Sequence, residues 1–448
     1  MFSHPDFEEA LSIARRLGGT GHRALFAGGC VRDMLMNRPA KDFDIATSAT
    51  PDQVEALFEN THAIGKAFGV IQVLSNGRPF EVATFRSDLA YIDGRRPEGV
   101  VFSTPEEDAQ RRDFTVNGLF YDPIAGNVID YVGGQDDLKR RVIRAIGDPK
   151  KRFAEDFLRM LRAARFASTL EFEIEPATAA AIRELAYEIT EISAERTAQE
   201  LTRLLTDSPR AGNGIRLLHD LGLLAHVLPE IPPMIGCEQP PQFHPEGDVF
   251  VHTMMMLDAL KNPSPVLAWS VLLHDVGKPP TFEITREPDG SDRIRFNNHA
   301  DVGAEMAERI LRRLRMSSEL TDAVVYCVQN HMRFGEVSRM KESTLRKLIG
   351  APTYETELEL HRIDCLSSHA DTSNVDILKT FSEKIRNEPV LPKPWLSGRD
   401  LIEIGMPPGP PMGRWLKLAY DAQLENRFPD RDALFAWLRS EIEKGDFQ

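Results

Sequence analysis

The sequence of 448 residues has no apolar run that approaches the roughly eighteen residues of a membrane span. Apolar residues still make up 42% of it, as in a globular protein. The opening residues, MFSHPDFEEALSIARR, carry acids where a signal peptide carries lysines. We therefore expect a soluble cytoplasmic protein with no membrane partner. Because a single core rarely serves a chain longer than about 250–300 residues, we also expect two or more packed units.

Cysteine is scarce, and no internal repeat or low-complexity tract is present. The four cysteines, Cys30, Cys237, Cys327 and Cys365, are far apart and form neither a CxxC metal pair nor a disulfide framework. This scarcity fits a reducing compartment.

Basic residues are outnumbered, 54 against 68 acidic, and the net charge of −14 argues against indiscriminate binding of polyanions. Residues 138–166 are the exception, with ten basic side chains and three acidic ones. Such an island suits a protein that holds nucleic acid in one groove, although a solvated helix face is the alternative. The candidate RNA-binding residues are Arg140, Arg141, Lys150 and Lys151.

The patterning divides the chain into two kinds of structure. Residues 1–145 mix short strand-like runs such as RALFAGG and PFEVATFR with helical stretches, whereas the remainder has apolar residues at helical spacing. In TPDQVEALFEN, Thr50 is a predicted cap and Pro51 a predicted first-turn residue. Proline-rich stretches near residues 228–245 and 390–413 indicate boundaries. The fold class is therefore α+β, a mixed head followed by helices.

Two aspartates flank one phenylalanine in the stretch KDFDIAT. On a strand, residues i and i+2 project from the same face, so Asp42 and Asp44 are expected to lie close together. Their charges repel unless a cation lies between them, and oxygen ligands favour Mg²⁺. A pair of such metals can stabilise both the attacking and the leaving oxygen of a phosphoryl or nucleotidyl transfer. Glu81, on another strand-like run, is the candidate third carboxylate.

Gly28 and Gly29 end a strand-like run just before a helix expected to begin near Val31. Backbone N–H groups at such a turn can hold a triphosphate. Two aspartates at this spacing are common in helix caps and on solvated surfaces. The combination of glycines and carboxylates therefore indicates a nucleotide site more specifically than either feature alone.

This combination resembles the nucleotidyltransferases of the polymerase-β superfamily, and most closely the bacterial branch of tRNA CCA-adding enzymes and poly(A) polymerases. RRDFTVNGLFYDP, from residue 111, resembles the family's RRDFTxNA motif, with Asn117-Gly118 in place of Asn-Ala. DYVGGQDDL resembles the turn between head and neck, and EDFLRMLRAARFA resembles the EDxxR motif. DGRRP, within residues 86–103, resembles the CCA-adding version of a flexible loop more than the poly(A) version.

The resemblance implies a nucleotide site in which Asp156 and Arg159 read the base without a template. An Asp accepts from an exocyclic amino group and an Arg donates to a neighbouring nitrogen or carbonyl, which fits cytosine and adenine. The implied nucleotide-binding residues are Gly28, Gly29, Arg32, Asp33, Arg111, Arg112, Asp113, Asn117, Asp156, Arg159, Arg162 and Arg165.

Histidines form a second concentrated pattern in the helical part. Their order, with HDVGK, resembles the HD phosphohydrolase domain, in which one or two metals activate the attacking water and Lys278 would help hold a phosphate. Imidazole and carboxylate ligands suit Ni, Mn, Fe or Zn better than Mg²⁺. The candidate ligands are His252, His274, Asp275, His299, His331 and Asp364.

The expectation is therefore an enzyme that adds C and A residues to the acceptor end of tRNA from CTP and ATP, with HD phosphohydrolase activity as an added possibility. Alternatives are a CC-only or A-only enzyme, a poly(A) polymerase, or chiefly an HD phosphohydrolase with an RNA-binding head. The sequence does not indicate the oligomeric state. The expected parts are a head at residues 1–145, a neck at 146–228, a body with the HD domain at 229–390 and a tail at 391–448.

Overall fold

A computed structural model of the protein describes residues 5–88, 99–240, 245 and 247–444. The chain divides into two compact units. The first reaches Pro233 and takes in two short later segments, Leu260–Asn262 and Arg312–Met316, and the second holds the rest from Met234 onward. The finer division into head, neck, body and tail remains a prediction.

A mixed seven-stranded sheet lies at the centre of the first unit. The strands of this unit are β1 (Ala24–Ala27), β2 (Asp44–Thr47), β3 (Thr61–Gly65), β4 (Val70–Ser75), β5 (Arg78–Thr84), β6 (Arg86–Asp88), β7 (Val100–Phe102), β8 (Leu119–Asp122), β9 (Asn127–Asp130), β10 (Val142–Ile143) and β11 (Glu173–Ile174). The large sheet has the order β3-β4-β5-β2-β1-β8-β9, while β6 pairs with β7 and β10 with β11.

The register of this sheet determines which residues meet at one end of it. Neighbouring strands are antiparallel except β2 and β5, which are parallel. Ala27 at the end of β1 pairs with Asp44 at the start of β2, and Ile45 pairs with Val82 of β5. As a result, Gly28, Asp44 and Glu81 come to the same end of the sheet.

Helices cover the sheet and continue beyond it. Those of the first unit are α1 (Pro5–Gly19), α2 (Gly29–Leu35), α3 (Pro51–Leu57), α4 (Pro105–Gln110), α5 (Gly134–Arg140), α6 (Pro149–Glu155), α7 (Leu158–Leu170), α8 (Pro176–Leu185), α9 (Ala194–Asp207), α10 (Ala211–Asp220) and α11 (Leu224–Val227). Thr50 caps α3 in a reciprocal capping box with Gln53, and Pro51 is in its first turn, which confirms that predicted start.

Buried aromatic rings anchor the segment that carries the two aspartates. Phe43 is 3% exposed, and its ring lies 5.5 Å from that of Phe26 on β1 and 5.8 Å from that of Phe7 on α1. Because Phe43 points into this core, Asp42 and Asp44 on either side of it point away from the core and toward the open end of the sheet.

The second unit is mainly helical. Its elements are α12 (Val249–Ala259), α13 (Pro265–Leu273), β12 (Phe282–Arg286), β13 (Asp292–Phe296), α14 (His299–Arg313), α15 (Ser318–Asn330), α16 (Glu342–Ile349), α17 (Tyr354–Ser367), α18 (Ser373–Lys384), α19 (Gly398–Glu403), α20 (Pro410–Leu424) and α21 (Arg431–Lys444). The last two residues of α14 belong to the first unit. Helix α13 is apolar on all sides, and its Trp269 is fully buried.

The mixed head followed by helices confirms the predicted fold class, and three details differ from it. Strand β2 begins at Asp44, so Asp42 lies in the preceding loop, because β1 ends at Ala27 and leaves Asp42 no partner strand. Helix α2 begins at Gly29, two residues earlier than expected. The antiparallel pair β12–β13 interrupts the helical part.

The DGRRP stretch, residues 93–97, lies outside the described residues. Among the helices that the structure describes, none is long and apolar enough to cross a membrane.

Candidate functional sites

Three carboxylates converge at the open end of the large sheet. Asp44 is partly buried there, and the cavity that it lines, of about 1030 Å³, is also lined by Asp42 and Glu81. Burial and the neighbouring charges of Asp42 and Glu81 raise the pKa of Asp44 to about 6, although Arg112 acts in the opposite direction. The three groups thus repel one another, and a cation between them would relieve the repulsion.

The glycine turn beside these carboxylates requires glycine for two reasons. Gly28 has a φ of 74°, in the left-handed region that a side chain disfavours. A Cβ atom at this position would also lie 2.9 Å from Nη1 of Arg112. The backbone at Gly28 and Gly29 therefore lies directly against the arginine side of the cavity.

A hydrogen-bonded network joins α2 to the segment that follows α4. Arg32 donates to Oδ1 of Asn117 at 2.7 Å and pairs with Asp33 at 2.8 Å. Asn117 in turn donates from Nδ2 to Asp113 at 3.1 Å, and Arg112 donates to the carbonyl oxygen of Asn117 at 3.3 Å. The side chains from these two distant parts of the sequence are therefore held together on one wall of the cavity.

Asp113 links this wall to helix α7. Arg162 donates from Nε to Asp113 at 2.9 Å. Burial alone would raise the pKa of Asp113, but Arg162 and the hydrogen bonds from Asn117 and the Phe114 backbone outweigh it and lower the pKa to about 2. The carboxylate is thus ionised, and it positions Arg162 toward the cavity.

Asp156 and Arg159 both line the cavity, but each is paired with another residue. Two nitrogens of Arg196 on α9 donate to the two carboxylate oxygens of Asp156, at 3.2 and 2.6 Å. Arg159 pairs with Glu155 and donates to the carbonyl oxygen of Arg152 at 2.8 Å. Each carboxylate oxygen can accept two hydrogen bonds, so Asp156 keeps capacity for a further donor.

The basic island of residues 138–166 is not one surface. Arg159, Arg162 and Arg165 line the cavity, and Arg165 pairs with the buried Glu200 at 2.5 Å. The four residues predicted to bind RNA, in contrast, are exposed: Arg140, Arg141, Lys150 and Lys151.

The second unit brings the predicted histidine and aspartate residues into one cluster. Asp275 is central to it, with its carboxylate oxygens 3.1 Å from Nε2 of His274, 3.7 Å from Nε2 of His299 and 3.8 Å from Nε2 of His331. His252 on α12 lies 3.1 Å from Asp364 on α17. Two overlapping sets within it, His252 with His274 and Asp275, and Asp275 with His299 and His331, have the spacing of a metal site.

Backbone carbonyl groups fix which ring nitrogen of these histidines carries the hydrogen. In each ring, Nδ1 lies close to the carbonyl oxygen of the residue three positions earlier. The distance is 2.8 Å for His274, 2.9 Å for His299 and 2.6 Å for His331. A carbonyl only accepts, so Nδ1 is the donor and the lone pair of a neutral ring is on Nε2. The Nε2 atoms of His299 and His331 then face each other at 3.2 Å, which favours a cation between them.

Burial shifts the pKa values of the histidines and of Asp275 in opposite directions. It lowers the pKa of His299 and takes that of His331 to about 4, so both are neutral near pH 7. Burial would raise the pKa of Asp275, but the adjacent His274 and Lys278 outweigh it and hold the pKa well below its usual value. Lys278 itself lies 2.7 Å from Asp275 and 2.6 Å from Oε1 of Gln239.

Three family models match successive parts of the chain. Residues 24–144 match the poly A polymerase head domain, residues 171–234 the probable RNA and SrmB-binding site of polymerase A, and residues 248–371 the HD domain. A solved structure of the Bacillus stearothermophilus CCA-adding enzyme in complex with CTP is similar over 99% of both chains, with a TM-score of 0.78 and 26% identity. Most of the chain is thus matched by models of the poly A polymerase family and of the HD domain.

Curated CCA-adding enzymes match one half of the chain. The CCA-adding enzyme of Geobacillus stearothermophilus is 45% identical over 224 residues, which are 50% of this chain and 55% of that enzyme. The one from Bacillus licheniformis is 46% identical over 218 residues, 48% of this chain and 54% of that enzyme. The chain thus spans about half the length of the curated relatives it matches. A Thermotoga maritima CCA-adding enzyme complexed with tRNA_CCA shares the fold, with a TM-score of 0.57 and 20% identity over 98% of this chain and 96% of that one.

The one residue that departs from the family's RRDFTxNA motif has a packing explanation. A Cβ atom at Gly118 would lie 2.7 Å from Cγ2 of Val132 and 3.2 Å from Cδ1 of Ile146. Val132, in the turn DYVGG, therefore fills the space that an alanine methyl group would need. The exchange changes packing beneath Asn117 and leaves its hydrogen bonds in place.

The sequence analysis did not identify the acidic side chains that form ion pairs with the arginines of the RRDFT and EDxxR motifs. Asp108 on α4 is 2% exposed, and its two oxygens bind Arg111 at 2.8 Å and Arg112 at 3.1 Å. The sequence contained a signal for these ion pairs. A capping box at Thr104 starts α4, and on a helix Asp108, three and four residues before the two arginines, lies on the same face as they do. Glu200 and Arg196, on α9, depend on long-range packing that no local pattern indicates.

Proposed function

We propose that the first unit is a template-independent tRNA nucleotidyltransferase that adds C and A residues to the 3′ end of tRNA from CTP and ATP. The observation that carries this proposal is the meeting of Asp42, Asp44 and Glu81 at the edge of a cavity lined by eleven basic side chains. The solved relative with bound CTP and the two curated CCA-adding enzymes support the choice of reaction.

Mg²⁺ fits the residues at this edge. The acidic groups offer only oxygen ligands, and burial together with the charges of Asp42 and Glu81 raises the pKa of Asp44, an effect that a bound cation would offset. Asp42 and Asp44 would hold the metal, with Glu81 as a weaker third ligand. When bound, it would supply positive charge that stabilises the attacking and leaving oxygens.

The arginine side of the cavity fits the triphosphate and ribose of the incoming nucleotide. The Gly28 N–H donates to the carbonyl oxygen of Leu119 at 3.0 Å, so the turn would present the N–H of Gly29, and the hydrogen-bonded wall would present guanidinium groups and the Asn117 amide. The proposed contacts are Gly28, Gly29, Arg32, Asp33, Arg111, Arg112, Asp113, Asn117, Arg162 and Arg165.

The reaction joins the RNA to the α-phosphate of the nucleotide. The oxygen of the 3′-hydroxyl forms a bond to the α-phosphorus and loses its proton to solvent, while the bond from that phosphorus to the bridging oxygen breaks. Pyrophosphate leaves with the bonding electron pair. The arginines oriented by Asp108 and Asp113 would bind the leaving pyrophosphate and stabilise its negative charge.

Asp156 and Arg159 are proposed to read the base. The carboxylate of Asp156 would accept from the exocyclic amino group of cytosine or adenine while Arg196 keeps its orientation. Arg159 would donate to the adjacent ring nitrogen or carbonyl. Uracil and guanine place a carbonyl where the amino group is required, and they would be rejected.

Three tRNA transcripts test the function directly. Purified protein is incubated with transcripts that end before CCA, after CC, or after CCA, each with one nucleoside triphosphate at a time. We expect CTP to extend the first transcript, ATP to complete the second, and neither to extend the third. Addition of C residues alone, or of the terminal A alone, would identify a partial enzyme, and long A tails would identify a poly(A) polymerase.

The exposed basic residues are the proposed contact for the acceptor stem. Phosphate contacts make binding depend on salt, so reversing the charge of Arg140 and Arg141 is expected to weaken tRNA binding and to reduce its salt dependence. Unchanged affinity with an unchanged salt slope would contradict this assignment.

For the second unit, we propose metal-dependent phosphohydrolysis. The facing Nε2 atoms of His299 and His331, 3.2 Å apart, favour this function, because neutral imidazoles with a carboxylate suit Ni, Mn, Fe or Zn. His252, His274, Asp275 and Asp364 would complete the ligands. When bound, the metal would supply the charge that activates water for attack on phosphorus.

This second activity has its own assay. Hydrolysis of 2′,3′-cyclic nucleotides and of nucleoside monophosphates is measured with each metal in turn, for the wild-type protein and for His274→Ala. Loss of hydrolysis with intact nucleotide addition is the expected result. If no metal supports hydrolysis by the wild-type protein, this proposal is wrong.

A further inference from the structure

A second cavity of the first unit shares the same three carboxylates. It has a volume of about 620 Å³ and is lined by Asp42, Asp44 and Glu81 as well as by side chains that do not line the first cavity. The latter include Gln72 on β4 and Arg78 on β5.

The two cavities follow one another along strands β4 and β5. Ala83 lines the first cavity, whereas Arg78 and Phe80 line the second. Glu81 lies between these positions and lines both. On β4, Val70 belongs to the first cavity and Gln72, the register partner of Glu81, belongs to the second. The carboxylates, together with Lys41, thus lie where the two cavities meet.

The charges of the two spaces differ in sign. Eleven basic and seven acidic side chains line the first, whereas two basic and four acidic ones line the second. The charges therefore favour a triphosphate in the first cavity over the second. The second suits a group that brings a hydroxyl and no more than one phosphate to the carboxylates.

An in-line displacement requires the attacking and leaving oxygens to lie on opposite sides of the phosphorus. With pyrophosphate leaving on the arginine side, the hydroxyl must approach from the other side of the carboxylates. We propose that the 3′-terminal nucleotide of the RNA acceptor occupies the second cavity, where Gln72 and Arg78 hold its ribose and phosphate. This inference rests on the proposed nucleotidyl transfer.

Both side chains are suitably placed for this role. Gln72 is half-buried beside Glu81, and its amide has both a donor and an acceptor for a ribose hydroxyl. Arg78 has a side chain that is 48% exposed and is paired with Asp6 at the start of α1. An exposed ion pair is worth little, so a phosphate can replace Asp6 as the partner of Arg78.

The test is the steady-state kinetics of Gln72→Ala and Arg78→Ala with a tRNA transcript that lacks CCA. The KM for this RNA is expected to rise about tenfold in Arg78→Ala, as for the loss of one good hydrogen bond to a charged group, and by less in Gln72→Ala, which loses a neutral hydrogen bond. The KM for CTP should stay constant in both variants. Arg78→Lys should restore most of the RNA affinity. Arg15→Ala, an exposed arginine of α1 outside both cavities, is the matched control and should match the wild type.

Asp6→Ala separates RNA binding from a structural role of Arg78. It breaks the same ion pair, so a merely structural Arg78 predicts that both variants raise KM equally. Our proposal predicts that Asp6→Ala leaves the RNA KM at or below the wild-type value. An unchanged RNA KM in both Gln72→Ala and Arg78→Ala overturns the inference. A wild-type protein that adds no nucleotide overturns the proposed function instead.

Discussion

Both units bring acidic side chains together at a candidate metal site, but the pKa of the central aspartate is shifted in opposite directions. In the first unit, burial and the neighbouring carboxylates of Asp42 and Glu81 raise the pKa of Asp44 to about 6. In the second unit His274 and Lys278 adjoin Asp275, and its pKa falls well below the usual value. A buried aspartate is thus costly to ionise in one unit and stable as an anion in the other.

This difference in pKa indicates which kind of cation each site would bind. The carboxylates of the first unit need outside positive charge, and oxygen ligands without nitrogen ligands select a hard cation that also binds phosphate. The second unit already has the Lys278 ammonium group beside Asp275, and it offers imidazole lone pairs that suit a softer metal. The same reasoning explains why a cavity rich in arginine adjoins the first site, where a triphosphate would bring four negative charges.

The largest expected effect is on nucleotide addition. Asp44→Asn keeps the size of the side chain but removes a metal ligand, so the rate of C addition should fall about a thousandfold or more. The measurement is single-turnover extension of a tRNA transcript with CTP. Asp301→Asn, an exposed aspartate on α14 of the second unit, is the control. Near-normal extension by Asp44→Asn would refute the metal assignment and, with it, the contrast between the two units.

Much of the first site could be predicted from sequence because its residues lie in short motifs. Asp42 and Asp44 are two residues apart, and Arg112 and Asp113 are adjacent, so local spacing alone brings each pair together. The position of Glu81 beside Asp44 could only be suggested, because it depends on the parallel pairing of β2 with β5.

The histidine cluster shows a different limit of prediction. The order of its residues indicated a common site, but the tautomers depend on carbonyl groups three residues before each ring. That Asp275, and not Asp364, is central to the cluster follows from packing between helices far apart in sequence, which no local pattern specifies.

A second prediction concerns metal retention by the histidine cluster. His299→Ala removes one of the two facing Nε2 atoms, and we expect transition-metal affinity to fall at least about a hundredfold, with nucleotide addition unchanged. Metal content is measured by mass spectrometry after dialysis against Ni²⁺ or Mn²⁺. His62→Ala, an exposed histidine of the first unit, controls for the histidine count. Equal metal content in both variants would place the metal elsewhere.

A third prediction tests base reading in the first unit. Asp156→Ala removes the acceptor for the exocyclic amino group, so the preference for CTP over UTP in kcat/KM should fall about tenfold or more. The KM for CTP should change less, because the triphosphate contacts remain. Competition between labelled CTP and UTP on one transcript gives the ratio directly. An unchanged ratio would contradict the role of Asp156, and Glu106→Ala, an exposed acid on α4, serves as the control.

The smallest expected effect is on thermal stability, and it tests whether the pKa values of Asp44 and Asp275 are shifted in opposite directions. Because the pKa of Asp44 is about 6 in the folded protein and 3.8 ordinarily, the folded state binds more protons between these values. Stability without metal therefore falls as the pH rises from about 4 to about 6. Asp44→Asn removes this cost and should raise the metal-free Tm at pH 7.5, by about 2–4 °C for each kcal/mol gained.

Asp275→Asn should act in the opposite direction. The lowered pKa of Asp275 means that its ionised form stabilises the fold at any pH above its ordinary value of 3.8, so the substitution should lower Tm at pH 7.5. Thermal unfolding in EDTA at pH 7.5 and at pH 5 measures both variants. The gain from Asp44→Asn should shrink at pH 5, where the wild-type carboxyl is largely protonated, whereas the loss from Asp275→Asn should persist. Shifts of the same sign in the two variants would mean that the units do not differ electrostatically as their side chains indicate.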